Sequence, residues 1–355
     1  VGVIYNHLLY DYSEKYNMND EEGEVELLNS SGNADRMQAY AQWQYRMNPR
    51  LSIIPGVHYT YFPTTNEHRV EPRFGAKYQL DETSSINAGF GVHSKTWDLA
   101  VYNATGYDVN GNTYKPNEKL GMLKSHHYVL GYEKMITSNL KGKVEVYYQK
   151  INNVPIENSD TSFVSALNSF AGYSDVPLVN KGTGENYGVE FTLEKYFTNQ
   201  FFFMATSSIY NSTYVGGDDV KRNTENNGNY VNNLLFGKEW NLGSPKKVFG
   251  IGSKVVWAGG RRVTPILLAE SREAGTTVLD HSKGFEDQLQ DYFRPDLQIT
   301  YRINGKKASH LIKLDVQNMI NRQNPWGQYY NPDSDKVETY AQVGILPVLS
   351  YKITF

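Results

Sequence analysis

The side chains best equipped to hold a ligand lie between the regular segments of this chain. The interval 95–122 carries Trp97, Tyr102, Tyr107 and Tyr114, the interval 261–290 opens on Arg261-Arg262, and 321–338 carries Trp326, Tyr329, Tyr330, Asp333 and Asp335. Aromatic rings stack on ring-shaped groups, and a guanidinium makes bidentate hydrogen bonds to carboxylates and similar acceptors. Loops this long are uncommon in a folded domain unless they have work to do. Packing of loop against loop is the plain alternative for any one of these residues. Other constellations are poorer. His126-His127 begin a strand, so their side chains point to opposite faces and cannot chelate one ion; His127 reads as a polar group. Asp20-Glu21-Glu22-Gly23-Glu24 lacks the alternate-position oxygens of a calcium loop and reads as a solvated charge run. Gly182-x-Gly184-x-x-x-Gly188 leads into a strand, not a helix, so phosphate-binding geometry is missing. With no cysteine and no grouping of nucleophile, base and orienting residue, we expect no enzyme, no catalytic residue, no metal and no cofactor.

The elements that must position the loops follow a strict two-residue period. In 37–47, Met37, Ala39, Ala41, Trp43, Tyr45 and Met47 alternate with Gln38, Tyr40, Gln42, Gln44 and Arg46. The same pattern sets Val70, Pro72, Phe74, Ala76 and Tyr78 against Glu71, Arg73, Gly75 and Lys77, and Phe293, Pro295, Leu297, Ile299 and Tyr301 against Arg294, Asp296, Gln298, Thr300 and Arg302. Such alternation is the mark of a strand with one apolar face. It predicts about fourteen strands, at 1–12, 35–48, 51–62, 70–80, 84–94, 123–136, 140–151, 185–197, 201–212, 229–241, 247–260, 291–303, 309–320 and 339–355. Short turns alternate with long connections near 13–34, 63–69, 95–122, 152–184, 213–228, 261–290 and 321–338.

Long loops at one end of every strand, short turns at the other, and an excess of tyrosine (28 residues) describe an all-β, transmembrane, antiparallel up-and-down barrel better than a soluble sandwich. Mean hydropathy of −0.56 does not oppose this, because a barrel strand averages a lipid face with a polar one. The net charge of −3, with dispersed lysine and arginine, leaves no footprint for nucleic acid. On the polar, lumenal face fall Glu71, Arg73, Lys77, Lys141, Lys143, Glu145, Glu190, Glu194, Arg294, Asp296 and Arg302. Mixed signs argue against a passive ion-selective pore.

Four segments carry a resemblance. Gly182-Thr183-Gly184-Glu185-Asn186-Tyr187-Gly188-Val189-Glu190 is similar to the G-x-x-x-G-V-E strand entry of TonB-dependent outer-membrane receptors, and Pro72-Arg73-Phe74-Gly75-Ala76-Lys77-Tyr78 to their P-R-x-G-x-K-Y strand. Val316-Gln317-Asn318-Met319-Ile320-Asn321 resembles the penultimate strand, and Leu349 to Phe355 the aromatic-ended last strand. In detail the chain resembles Bacteroidetes members most. The resemblance implies an outer-membrane receptor of a Gram-negative bacterium, importing a scarce nutrient (iron chelate, cobalamin, glycan or peptide) through a barrel of about 22 strands closed by a plug. On that reading residues 1–355 are the C-terminal part of the barrel, with plug and first strands outside the chain, and the Val1 start suits a processed chain or fragment. The implied substrate residues are Trp97, Tyr102, Arg261, Arg262, Trp326 and Tyr329, and the implied plug-facing residues Glu71, Arg73, Glu190, Arg294 and Asp296. The implied partners are the TonB complex, the chain's own plug domain, the barrel-assembly machinery through Phe355, outer-membrane lipid and a surface lipoprotein; nucleic acid is not among them. The alternatives are a complete fourteen-stranded channel, or a receptor-fold barrel serving as a structural or binding subunit of an envelope complex.

Overall fold

The computed structural model describes residues 1–17, 24–168 and 176–355. Fourteen long strands pair antiparallel, each with its neighbour in sequence: β1 (Gly2–Asn17), β2 (Glu24–Gln42), β3 (Leu51–Phe62), β4 (Glu67–Gln79), β5 (Ser84–Lys95), β6 (Leu123–Thr137), β7 (Leu140–Glu157), β8 (Leu178–Thr198), β9 (Phe201–Val215), β10 (Tyr230–Asn241), β11 (Lys247–Ala258), β12 (Tyr292–Asn304), β13 (Ser309–Gln317) and β14 (Leu346–Thr354). Two short segments, Tyr45–Arg46 and Lys221–Asn223, pair alongside β3 and β9. Among the described residues β1 and β14 do not pair with one another, and every residue of β14 is exposed.

Local chemistry accounts for the short turns. Asn48 accepts the backbone N–H groups of Arg50 (2.9 Å) and Leu51 (2.8 Å). Asp81 accepts those of Thr83 and Ser84 together with both hydroxyls, which holds its carboxyl well below the usual carboxylate range. Asn199 and Gln200 both have positive φ (55° and 60°), the backbone of a tight hairpin whose twist matches its strands. Prolines sit where a missing N–H costs least. Pro72 immediately precedes the first β4–β5 pair, Arg73↔Gly91, and Pro295 lies before the β12–β13 ladder begins at Leu297↔Val316. Pro55 faces the break in β2 at Trp43, whose N–H it accepts (3.0 Å).

Register carries the alternation through the sheet. One row runs Phe74↔Phe90↔Tyr128↔Tyr148↔Tyr187, and another, near the opposite rim, Trp240↔Phe249↔Tyr301↔Ile312↔Tyr351. These are the aromatic girdles expected on a lipid-facing wall. The polar face is the concave one. Lys77 on β4 reaches Glu133 on β6 (2.6 Å) across β5, and Arg302 on β12 reaches Glu239 on β10 (2.6 Å) across β11. Strands two apart are separated by about 9–10 Å, so their side chains meet only where the sheet curls inward.

The structure departs from the expected boundaries at the loop ends. β1 and β2 continue pairing to Asn17 and Glu24, so the connection expected at 13–34 is largely ladder, while β7 runs to Glu157 and β8 begins at Leu178, which shortens the connection expected at 152–184 from both ends. The connection at 63–69 is a tight turn closed by Asn66 in the left-handed conformation (φ 52°). β13 stops at Gln317, not 320, because Asn318 turns left-handed (φ 49°). Residues 339–341, expected to open the last strand, instead belong to a short strand, Lys336–Ala341, that pairs with 325–331 in a hairpin of its own, and the last strand begins at Leu346. The acidic run at 20–24 falls outside the described residues apart from Glu24, where β2 begins.

Candidate functional site

Loops at the long-connection rim are tied down by asparagine side chains, which mimic backbone by offering a donor and an acceptor side by side. Asn117, 1% exposed, donates to the carbonyl of Val176 (3.0 Å) and accepts the N–H of Leu178 (2.9 Å). Asn180 grips both the N–H and the carbonyl of Gly121. Asn227, fully buried, accepts the N–H of Ser212 and donates to Asn211 and Asn223. Asn324 accepts the N–H of Phe293 (2.9 Å) and donates to its carbonyl (3.1 Å), fixing the foot of the 325–341 hairpin to the top of β12. Sequence reading passed over all four, because asparagine in a polar loop has no periodic signature; its frequency beside strand ends was the available signal.

Under the 96–122 loop lies the hydrophobic cluster of the rim: Phe62, Val101, Tyr102, Leu120, Met122 and Leu178, with Ala34 and, packed against it, Trp97. Tyr102 is 2% exposed, its ring 5.6 Å from Phe62 and its hydroxyl accepting the N–H of Trp97 (3.2 Å). Burial pushes its phenol up to about 12. Of the two residues expected here among the substrate residues, Tyr102 is buried inside this cluster and Trp97 is half-buried against it. Tyr107 and Tyr114 are exposed on the small hairpin beyond.

Two other expected residues are brought together. The Arg261 guanidinium lies 4.3 Å from the centre of the Trp326 ring, donates to the Trp326 carbonyl (3.5 Å), and pairs with Glu225. Trp326 remains 46% exposed. Tyr329, on the same hairpin, donates to Glu338 (3.0 Å) and packs beside Tyr340. The hairpin is braced against the 259–291 loop by Arg272 to Asp335 (2.6 Å) and by the N–H of Tyr330 on the Thr277 hydroxyl (2.9 Å). Arg272 and the Tyr330 hydroxyl hold the Asp335 carboxyl below its ordinary range. Arg262 is spent on structure, donating to the carbonyls of Asn227 and Glu286 and to the Asn229 side chain. Cavities of about 460 Å³ open on both sides of the hairpin: one against Gln288, Leu289 and Gln290, the other over Arg294, Gln317 and Asn318. The arrangement offers an exposed indole with a cation on one face and a recess to either side.

On the lumenal wall most charge is already paired. Glu71, 2% exposed, accepts from His58 (2.9 Å), Arg73 (3.0 Å) and the N–H of Ser94 (2.8 Å). Its carboxylate lies on the polar face of the wall, on the side of Arg73 and Lys77, buried among these partners. Arg294 makes a two-pronged pair with Asp296 (2.8 Å each), and Asp296 also accepts the N–H of Asn318. Glu190 differs. It stands opposite Glu145 on the neighbouring strand, is exposed, and has no ion-pair partner among the described residues. His127 shares Ser125 and Gln149 with its wall neighbours, whereas His126 lies on the other face, as strand alternation requires. Among the described residues no cluster of histidine and carboxylate side chains is placed to hold a metal. The Gly188 of the glycine pattern is a site of close approach: a Cβ there would lie 2.6 Å from the Ile209 carbonyl oxygen and 2.9 Å from the Tyr147 hydroxyl.

The family model described as TonB dependent receptor-like, beta-barrel, matches residues 1–319. The chain belongs to this family. It is thus an outer-membrane protein of a Gram-negative bacterium, in a family of receptors and not of enzymes. Solved structures with the same fold include the ferric yersiniabactin uptake receptor FyuA from Yersinia pestis (14% identity, TM-score 0.65, 97% of this chain and 49% of that one), the outer membrane transporter YddB from Escherichia coli (14%, 0.61, 98% and 50%) and a variant of the ferric enterobactin receptor PfeA from Pseudomonas aeruginosa (16%, 0.59, 92% and 45%). The chain spans about half the length of the solved structures it matches. No match is found among curated proteins.

Proposed function

We propose that residues 1–355 are the C-terminal part of the barrel of a TonB-dependent importer, in which the rim formed by the 259–291 loop and the 325–341 hairpin catches a scarce nutrient. The observation that carries this reading is the Arg261–Trp326 pair, an exposed indole held by a cation and braced from below by Asn324. A guanidinium over one face of an aromatic ring leaves the other face of the exposed indole to stack on a sugar or aryl group. Tyr329 extends the same surface.

The plug belongs against the concave wall, where charges of both signs are already satisfied and Glu190 offers an unmatched carboxylate to a cation of the plug. The unpaired edges of β1 and β14, and matched structures of about twice the length, support a barrel larger than these fourteen strands. The TonB complex would then act through the plug-bearing part, and the assembly machinery through Phe355. The strand motifs extend the proposal to a Bacteroidetes receptor with a surface lipoprotein partner. Ferric chelates head the compounds to assay, since two of the neighbours are named for them.

The test is growth of a deletion strain on single iron and nutrient sources, complemented with the intact gene or with Trp326→Ala. We expect a defect on one source that Trp326→Ala fails to restore. Normal growth of the deletion strain on every source would end the importer reading, and full complementation by the variant would move the binding surface elsewhere.

A further inference from the structure

The lumenal lysines and the outward lysines of this wall live differently. Lys77, Lys141, Lys143 and Lys313 on the concave face each sit within 3.2 Å of a carboxylate. Lys134, Lys195, Lys238 and Lys247 lie on the convex face, as their register with Gly142, Phe203, Phe201 and Ile303 shows, all within a few residues of the short turns. None of these four is in an ion pair among the described residues: Lys238 donates to the Asn199 carbonyl (3.0 Å), and Lys195 lies over the Phe201 ring. The carboxylates of the same stretch, Glu133, Glu194 and Glu239, point into the lumen. The periplasmic rim of β6 to β11 therefore presents cations to the membrane with no protein anion beside them.

Directly above this rim the convex wall is hollowed. A groove of about 740 Å³ begins at Lys134 and Ile136 and crosses β6 to β12. Its floor is made of small residues, Gly142, Ala205 and Ser207, and its sides of Phe191, Leu193 and Trp257. A hollow on a lipid-facing wall is filled by hydrocarbon, because water there would leave apolar surface wet. The short turns lie on the side where the outer membrane carries phospholipid.

We infer that this groove and its lysine rim form a binding site for an anionic diacyl phospholipid of the periplasmic leaflet. One acyl chain lies along the groove between Phe191 and Leu193, and the phosphate sits at Lys134 at the mouth of the groove, with Lys195 and Lys238 farther along the same rim adding to its positive field. Charge complementarity selects an anionic headgroup over a zwitterionic one, and each lysine near such a surface adds about fivefold to the affinity.

The full-length protein, purified in detergent and titrated with phosphatidylglycerol or phosphatidylcholine, allows the retained lipid to be counted by native mass spectrometry. We expect phosphatidylglycerol to be retained preferentially, the combined substitutions Lys134→Gln, Lys195→Gln and Lys238→Gln to bring it down to the level of phosphatidylcholine, and Ala205→Phe to reduce both lipids by filling the groove. Heat-modifiable mobility on a gel reports whether each variant folds, and Lys134→Gln alone, with its fivefold loss, serves if the triple variant does not. Equal retention of the two lipids, or a preference that survives loss of the lysines, overturns the headgroup assignment; unchanged retention in a folded Ala205→Phe variant overturns the groove. Uptake of nutrient in the growth assay stays intact in these variants, which separates this site from the rim.

Discussion

Asn324 is the residue whose loss should most directly uncouple the candidate site from the barrel. It is 2% exposed and its amide makes both hydrogen bonds that join the hairpin foot to Phe293. Asn324→Ala removes two bonds of about 0.5–1.5 kcal/mol net each and leaves the N–H and carbonyl of Phe293 in a poorly hydrated position. A local loss of about 2 kcal/mol follows, which raises the open population of the hairpin about 30-fold. The bracing contacts at Thr277 and Asp335 lie at the far end and do not replace the foot. Hydrogen–deuterium exchange followed by mass spectrometry reads this directly: peptides from 325–341 should exchange about 30-fold faster, while those of β6 to β9 keep their rates. A change below about threefold in the hairpin, or an equal rise across the barrel, would refute the idea that one side chain holds this element.

Tyr102→Ala should cost about 3–5 kcal/mol locally by emptying the rim cluster, seen as protease sensitivity of the 96–122 loop, whereas Tyr102→Phe keeps the packing and loses only the hydroxyl contact. Because the folded Tyr102 titrates at about 12 and the unfolded group near its ordinary value of 10, its contribution is complete below pH 10 and disappears as pH rises through 12; exchange in this loop should accelerate across that window. Asp335 has the opposite sign: its depressed carboxyl keeps the brace to Arg272 intact above the ordinary carboxylate range and releases it as pH falls through the depressed value, so exchange of 325–341 should rise at acid pH in the wild type and not in Arg272→Gln. Gly188→Val should abolish the heat-modifiable, folded form, since its added carbon meets a backbone oxygen that cannot yield.

The period-2 pattern was enough to place fourteen strands and to sort their faces, because one side of each strand is wetted by lipid and the other is not. The pattern fails where that difference ends. Ser13 to Asn17 of β1 keep pairing with β2 although Ser-Glu-Lys-Tyr-Asn carries no apolar alternation, so the ladder there outruns the period that signals it. The final stretch was misread for a related reason. Lys336 to Ala341 alternate well enough for a strand, and they do form one, but with Pro325 to Asn331, since Asn318 and Asn321 turn the chain back before β14 begins. Of the side chains proposed to face a ligand, Trp326 and Arg261 are legible by type, yet their partnership is not, as 65 positions separate them and only the shared rim brings them together. Tyr102 looked identical to Trp326 in sequence; whether an aromatic in a loop is offered or buried depends on what the loop folds over.

The asparagine clamps have an evolutionary consequence. A loop anchored by one amide to a backbone N–H and carbonyl makes almost no demand on the rest of its own sequence or on the strand beneath it, for every residue but proline carries those two groups. Such a rim behaves as a chassis with standard sockets: insertions, deletions and exchanges between paralogues can re-shape the outer surface, provided the asparagine at the foot is kept, and the fourteen strands need not change to accommodate them.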